Sequence, residues 1–298
     1  MMPRATIVIT TKDRKDDLRK ALRSAFSQTV PVEVIVTDDA SSDGTSAMVS
    51  TEFPQAKLLR SEVCIGLIAQ RNRAAKEAIG EFIFSIDDDA EFGSNDTIEG
   101  TLAEFDAPEV GAIAIPQFDT TPGKVVNAPA LADGNVWCVA SFVGTAYAVR
   151  KDLFLKLGGY REHWVHQGEE SDYCLRMLAA GFVVRLGSAP MIQHHESPRR
   201  SYERMDFYGR RNDVLFAWHN VPSPYLPLHL AATTVHGLRW ALKTRRISHM
   251  LRGLFAGYMD SFYHRSGRAP VSKMVYRLHR RLKKSGPITL SEIDSMMT

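Results

Sequence analysis

Asp87-Asp88-Asp89 sets three carboxylates in a row directly behind an apolar run, Glu81-Phe82-Ile83-Phe84-Ser85-Ile86. Adjacent carboxylates repel one another, and a bound cation removes that cost. Hard divalent ions such as Mg2+ and Mn2+ take oxygen ligands and share them with substrate phosphates. A solvated acidic turn is the competing account. The apolar run favours a site, because a strand of this kind delivers the carboxylates to the edge of a sheet.

Three further groups have the residue types for chemistry. Asp38-Asp39 ends a second apolar run and can accept hydrogen bonds from ligand N–H or O–H groups. Glu169-Glu170-Ser171-Asp172 opens a helical stretch, where the macrodipole favours acids. Capping accounts for some of these carboxylates, and one held at a pocket rim suits a general base. His194-His195-Glu196-Ser197 joins two imidazoles to a carboxylate, a pattern compatible with a metal ligand. Arg71, Arg73, Arg210 and Arg211 are candidates for charge-assisted contacts to phosphate oxygens. There is no G-x-x-x-x-G-K-[ST] loop and no G-x-G-x-x-G after a strand, so a metal with arginine is the remaining route to phosphate.

The elements that must position these groups alternate. Residues 5–10, 32–37 and 81–86 read as buried strands, with 57–60 as a shorter one. Residues 16–28 carry Leu18, Leu22, Ala25 and Phe26 at helical spacing, and 66–79 form a helix opened by Gly66. Strands joined by helix-length connections imply an α/β fold with a mostly parallel, Rossmann-type sheet covered by helices. Ligands bind beyond the carboxyl ends of such strands, and two of these strands end in acids. Farther on, 137–149 reads as strand, 151–159 and 170–180 as helices, and 183–186 as strand. From 201 onward the chain reads as mostly helical.

The 298 residues are 44% hydrophobic and 24% charged, the balance of a folded protein. Cys64, Cys138 and Cys174 are scattered, which fits reduced thiols in the cytosol better than a disulfide framework. The net charge of +3 hides a division. Residues 1–198 hold 19 Lys/Arg against 28 Asp/Glu, whereas 199–284 hold 18 against four. The start turns charged too soon for a secretory signal, and 225–242 is too interrupted to span a membrane. The expectation is an α/β domain over 1–198 followed by a basic helical region over 199–298.

Taken in order, these pieces resemble family 2 glycosyltransferases of the GT-A fold, over roughly residues 5–200. Ile7-Val8-Ile9-Thr10-Thr11-Lys12-Asp13-Arg14 is similar to the family's first strand and turn. Asp38-Asp39-Ala40-Ser41-Ser42-Asp43-Gly44-Thr45 matches its Asp-Asp-x-Ser-x-Asp-Gly-Thr stretch, and Gly66 with Gln70-Arg71-Asn72 its Gly-x-x-x-Ala-Arg-Asn segment. Asp87-Asp88-Asp89 stands where the family has D-x-D. Glu169-Glu170-Ser171-Asp172 with Arg176 matches its Glu-Asp helix, and His194 with Ser197 its late His-x-x-Ser.

The resemblance implies an inverting transferase that uses a nucleoside-diphosphate sugar and Mn2+ or Mg2+. By it, Thr10 and Asp39 hold the base, with UDP or dTDP favoured, and Arg71 supports the nucleotide. Asp87 or Asp88 contacts ribose or sugar, Asp89 and His194 hold the cation, and Glu170 is the base, with Glu169 and Asp172 as rivals. The chain departs from the family at Lys12-Asp13, where Tyr-Asn is common, and at Glu170, where aspartate is common.

The acceptor implied is a saccharide or lipid-linked hydroxyl, in surface polysaccharide synthesis. The basic region suits either an anionic membrane at the inner face of the plasma membrane or packing on the catalytic domain. No nucleic-acid motif accompanies its charge, so no nucleic acid is expected. Two alternatives remain: a phosphatase-like hydrolase with Asp87 as nucleophile, and a non-catalytic nucleotide-sugar-binding scaffold.

Overall fold

A computed structural model describes residues 3–195, 201–263 and 265–297. The expected contributions of Glu196 and Ser197, and the boundary near 198, lie outside the described residues. Strands β1 (Ala5–Thr11), β2 (Val32–Asp38), β3 (Lys57–Arg60) and β4 (Phe82–Asp87) alternate with helices α1 (Lys15–Phe26), α2 (Thr45–Glu52) and α3 (Leu67–Glu77). Then follow β5 (Ala90–Phe92), α4 (Thr97–Ala103), β6 (Val110–Ala114), β7 (Gln117–Asp119) and β8 (Lys124–Asn127). Next come β9 (Trp137–Val139), β10 (Ala146–Arg150), α5 (Lys151–Lys156), α6 (Glu169–Ala179), β11 (Val183–Leu186) and β12 (Ile192–His194). The remainder is α7 (Tyr202–Asn220), α8 (Leu226–Thr244), α9 (Ile247–Tyr263), α10 (Lys273–Ser285), β13 (Ile288–Thr289) and α11 (Leu290–Met297).

Nine strands form the main sheet in the order β13-β9-β11-β6-β10-β4-β1-β2-β3. It is parallel from β4 through β3 and again between β6 and β11, with β10 inserted antiparallel between β4 and β6. The β-branched run of β1 is buried on both faces: Ile7 and Ile9 join one core cluster and Val8 the other. Alternating side chains of a strand covered by helices on both sides require this. Helix α1 buries Leu18, Ala21, Leu22 and Ala25, the stripe that a 3.6-residue period lays against a sheet.

The stretch 137–149, which reads as one strand, is two. β9 pairs with β11 and β10 with β4, and the turn between them carries Gly144. A second sheet, β5-β12-β7-β8, has no counterpart in the sequence reading. Its strands have three or four residues, too few for a period-2 signal to stand out. The chain beyond residue 200 returns to the α/β layer: α10 packs on α6, and β13 pairs with β9 to extend the main sheet.

Candidate active site at the carboxyl edge of the sheet

Parallel register builds the site. β1 lies between β2 and β4, which brings Thr10 level with Asp87 and Thr11 level with Asp38. The second sheet supplies the opposite wall, because β12 aligns His194 with Ala90 on one side and Asp119 on the other. Asp87, Asp89 and His194 consequently each offer a ligand atom within 4.8 Å of the others.

This group fits a divalent cation. Two carboxylates and an imidazole are a donor set that suits a divalent cation such as Mn2+. His194 Nδ1 lies 2.8 Å from Asp119 Oδ1, and its Nε2 lies 3.4 Å from Asp89 Oδ1. A carboxylate behind a histidine in this way fixes the ring and its tautomer for a metal at the other nitrogen. Burial works against a charge on His194, but the hydrogen bonds to Asp89 and Asp119 outweigh it and raise the imidazole to about 9. Without a metal, a proton therefore supplies the positive charge that these carboxylates attract. Burial, with Asp89 and Asp87 nearby, pushes Asp88 up to about 7 against the pull of Arg14. Arg14 Nη1 donates to Asp88 Oδ1 at 2.8 Å and to Asp89 Oδ2 at 2.9 Å. Asp88 thus faces Arg14, and the structure groups Asp87 with Asp89 and His194.

Arg71 is the centre of a second, buried cluster. Its Nη2 donates to Asp87 Oδ1 at 2.8 Å and to the Gly144 carbonyl at 2.9 Å. Its Nη1 lies 3.5 Å from Glu169 and 3.8 Å from Glu170. Thr145 Oγ1 donates to the other oxygen of Asp87 at 2.7 Å. Gly144 is needed for this approach, since a Cβ there would stand 2.3 Å from Glu170 Oε1 and 2.9 Å from Arg71 Nη1.

Helix α6 presents the three candidate bases differently. Asp172 is fully buried and held by Arg161, Arg176 and Asn220, at 2.8 Å for the last two. It ties α6 to α7 and to the 161 turn. Glu169 is buried, and its Oε2 has no partner. Glu170 keeps a fifth of its side chain exposed. Burial raises both glutamates above the ordinary carboxylate range, with Arg71 opposing. Burial and the charge of Glu170 push Glu169 up to about 8, and Glu170 is the more exposed carboxyl of the pair.

The turn before α6 is strained at Val165 and Gln167, with φ of 64° and 69°, while Gly168 takes φ of 85° as glycine can. Asn212 Nδ2 holds it by donating to the carbonyls of Trp164, His166 and Gln167 at 2.7–3.0 Å. Arg211 donates to the His163 carbonyl and pairs with Asp260. Arg210 pairs with Asp213, and Arg73 bonds the Arg60 carbonyl and Ser61. None of these three arginines joins Arg71 in its cluster.

Asp39 accepts from the Ile65 and Gly66 amides, Gln70 Nε2 and the Cys64 thiol, all within 3.0 Å. These four donors hold its carboxyl below the usual range against the cost of burial. Thr10 Oγ1 accepts from Thr37 at 2.8 Å. Sequence reasoning missed Asp119, Thr145 and Gly144. Arg14 does carry a sequence signal, a cation in the turn that follows β1.

Comparison with known proteins shows what this chain is similar to. The sequence profile described as Glycosyl transferase family 2 matches residues 6–133. The O-antigen biosynthesis protein RfbC of Myxococcus xanthus is 24% identical over 225 residues, 66% of this chain and 18% of the relative. An uncharacterised protein of Sinorhizobium fredii is 21% identical over 82% of this chain and 31% of its own length. The chain spans less than a third of these curated relatives. Among solved structures, a Pyrobaculum calidifontis mannosyltransferase in complex with GDP-Man and Mn2+ superposes with a TM-score of 0.58. It is 21% identical and the match covers 88% of each chain. S. aureus TarS with UDP-GlcNAc gives 0.63 at 16% identity, over 94% of this chain and 87% of that one. Residues 6–133 thus match the family 2 glycosyl transferase profile, and the GT-A fold shared with these solved structures continues past that segment.

Proposed function

We propose that this chain transfers a sugar from a nucleoside-diphosphate sugar to an acceptor hydroxyl, with inversion at the sugar carbon. The observation that carries the reading is the meeting of Asp87, Asp89 and His194 beside Arg71 and Glu170 at one sheet edge. Asp87, Asp89 and His194 hold the cation, and the histidine in the set favours Mn2+ over Mg2+. When bound, that ion neutralises the diphosphate as it leaves.

Glu170 accepts the proton of the acceptor hydroxyl as its oxygen bonds to the anomeric carbon, on the face opposite the breaking bond to diphosphate. Arg71, close to both glutamates, favours the ionised form of Glu170. Asp87 or Asp88 contacts ribose or donor sugar. A uracil or thymine N3–H reaches Asp39 by replacing the Cys64 thiol, the weakest of its four donors. The neighbouring Thr10 carries the other base contact. The phosphatase-like alternative needs Asp87 as a nucleophile and a Thr or Val two residues after Asp89, where this chain has Glu91.

The acceptor is a saccharide or a lipid-linked saccharide in surface polysaccharide synthesis, a role that the likeness to RfbC supports. The expected place of work is the cytoplasm or its membrane face. The test is a thermal-shift series with UDP, dTDP, GDP and CDP, each with Mn2+, Mg2+ or chelator. Selective binding raises the melting temperature by mass action. A metal-dependent rise with UDP or dTDP, lost in Asp89→Ala, supports the reading. No rise with any of the four removes it.

A further inference from the structure

Twelve of the 21 exposed large hydrophobic residues among the described residues fall between Leu228 and Tyr263. They are patterned. Leu228, Val235, Leu238 and Leu242 follow one another along one side of α8 at helical spacing, and Ile247, Leu251, Phe255 and Phe262 do so along α9. Thr234 of α8 bonds the Tyr258 hydroxyl of α9 at 2.7 Å, so the two stripes flank a shared seam.

The outward aim of α9 is fixed by packing. Its buried side, with Met250, Gly253, Leu254 and Gly257, lies on α7. A Cβ at Gly253 would meet the Phe207 carbonyl at 2.3 Å, and one at Gly257 the Arg211 carbonyl at 2.7 Å. Helices in such close contact cannot rotate to bury the stripe.

Cations border it. Arg239, Lys243 and Arg252 each follow a stripe residue by one position, about 100° farther round the helix. With Arg245 at the turn they are exposed, and they make no ion pair among the described residues. The one acid between 226 and 263, Asp260, is committed to Arg211. Two copies meeting through this face would bring like charges together, which opposes a dimer. An anionic lipid surface satisfies both the stripe and its border. No helix among the described residues is long and apolar enough to cross a membrane, so the contact is interfacial.

We propose that the α8–α9 hairpin lays its two apolar stripes into an anionic lipid surface, with Arg239, Lys243, Arg245 and Arg252 at the headgroups. Helix α9 rests on α7, whose Asn212 holds the turn leading into Glu170. The docked face is therefore coupled to the side from which an acceptor reaches the base. That last link rests on the transferase reading; the lipid contact does not.

The test is co-sedimentation of the full chain with phosphatidylcholine vesicles, with and without phosphatidylglycerol, at low and high salt. Binding is expected with phosphatidylglycerol at low salt only. Phe255 is 70% exposed, so Phe255→Glu leaves the melting temperature unchanged while lowering partitioning at least about tenfold. Arg239→Glu with Arg252→Glu lowers it about fivefold or more for each charge lost. No binding to anionic vesicles at low salt overturns the proposal. So does binding that Phe255→Glu leaves intact, or a dimer seen by light scattering that this substitution abolishes. The thermal shift with UDP and Mn2+ in the same samples reports separately on the transferase reading.

Discussion

Replacing Asp119 with asparagine keeps the shape of its side chain and removes the charge behind His194. Asp119 Oδ1 stands 2.8 Å from His194 Nδ1, and that contact helps raise the imidazole from its ordinary 6.5 to about 9. Two opposing effects follow. In the unsubstituted protein a cation must expel the His194 proton, so Mn2+ affinity rises about tenfold per pH unit from 7 toward 9. In Asp119→Asn the imidazole falls back toward 6.5, and this slope flattens. The carboxylate that orients the ring is also lost, which weakens metal binding by about 10- to 100-fold, or about 1.4–2.8 kcal/mol. The affinity gap therefore widens as pH rises. For the metal-free fold the sign reverses: the stability supplied by the imidazolium is complete below about 6.5 and disappears as pH passes about 9. Free Mn2+ counted by electron paramagnetic resonance across this range reads the slopes, and melting curves with chelator read the stability. Equal affinity and equal slope in both proteins would refute the role of His194 as a ligand.

Glu170→Gln is expected to lower kcat by about 10²- to 10⁴-fold with the nucleotide-dependent thermal shift retained. Glu169→Gln, which copies a neutral carboxyl, keeps kcat within about tenfold; the reverse ranking in a transfer assay would exchange their roles. Gly144→Ala drives a methyl against Glu170 and Arg71, so kcat falls while calorimetry shows a loss of about 1–3 kcal/mol. Asp172→Ala leaves Arg161 and Arg176 without their buried partner and costs about 3–5 kcal/mol, read as a lower midpoint in urea.

The two strands that end in acids, β2 and β4, were legible because they, like β1 between them, are buried on both faces and so read as continuous apolar runs. The family motif points to Asp89 and His194 for the cation and to Asp87 for ribose or sugar; only the structure sets Asp87 beside the other two. What brings His194 to Asp89 was not legible. It is the register of β12 against β5 and β7, strands of three residues in which no periodicity can accumulate. Asp119 lies in the same irregular stretch, and only pairing across 75 positions reveals its purpose. Asp172 looks like its neighbours Glu169 and Glu170 in sequence. Helical rotation alone separates them, turning Asp172 toward Arg161 and α7 and leaving Glu170 at the rim.

The two-residue strand β13 covers the outer side of β9. An edge strand left bare offers its backbone to any other chain, and β9 is preceded by a long exposed stretch. The last helices and β13 thus guard the sheet against self-association. A chimera that exchanges everything after α7 for a relative's extension must bring its own guard for β9, or it trades specificity for aggregation.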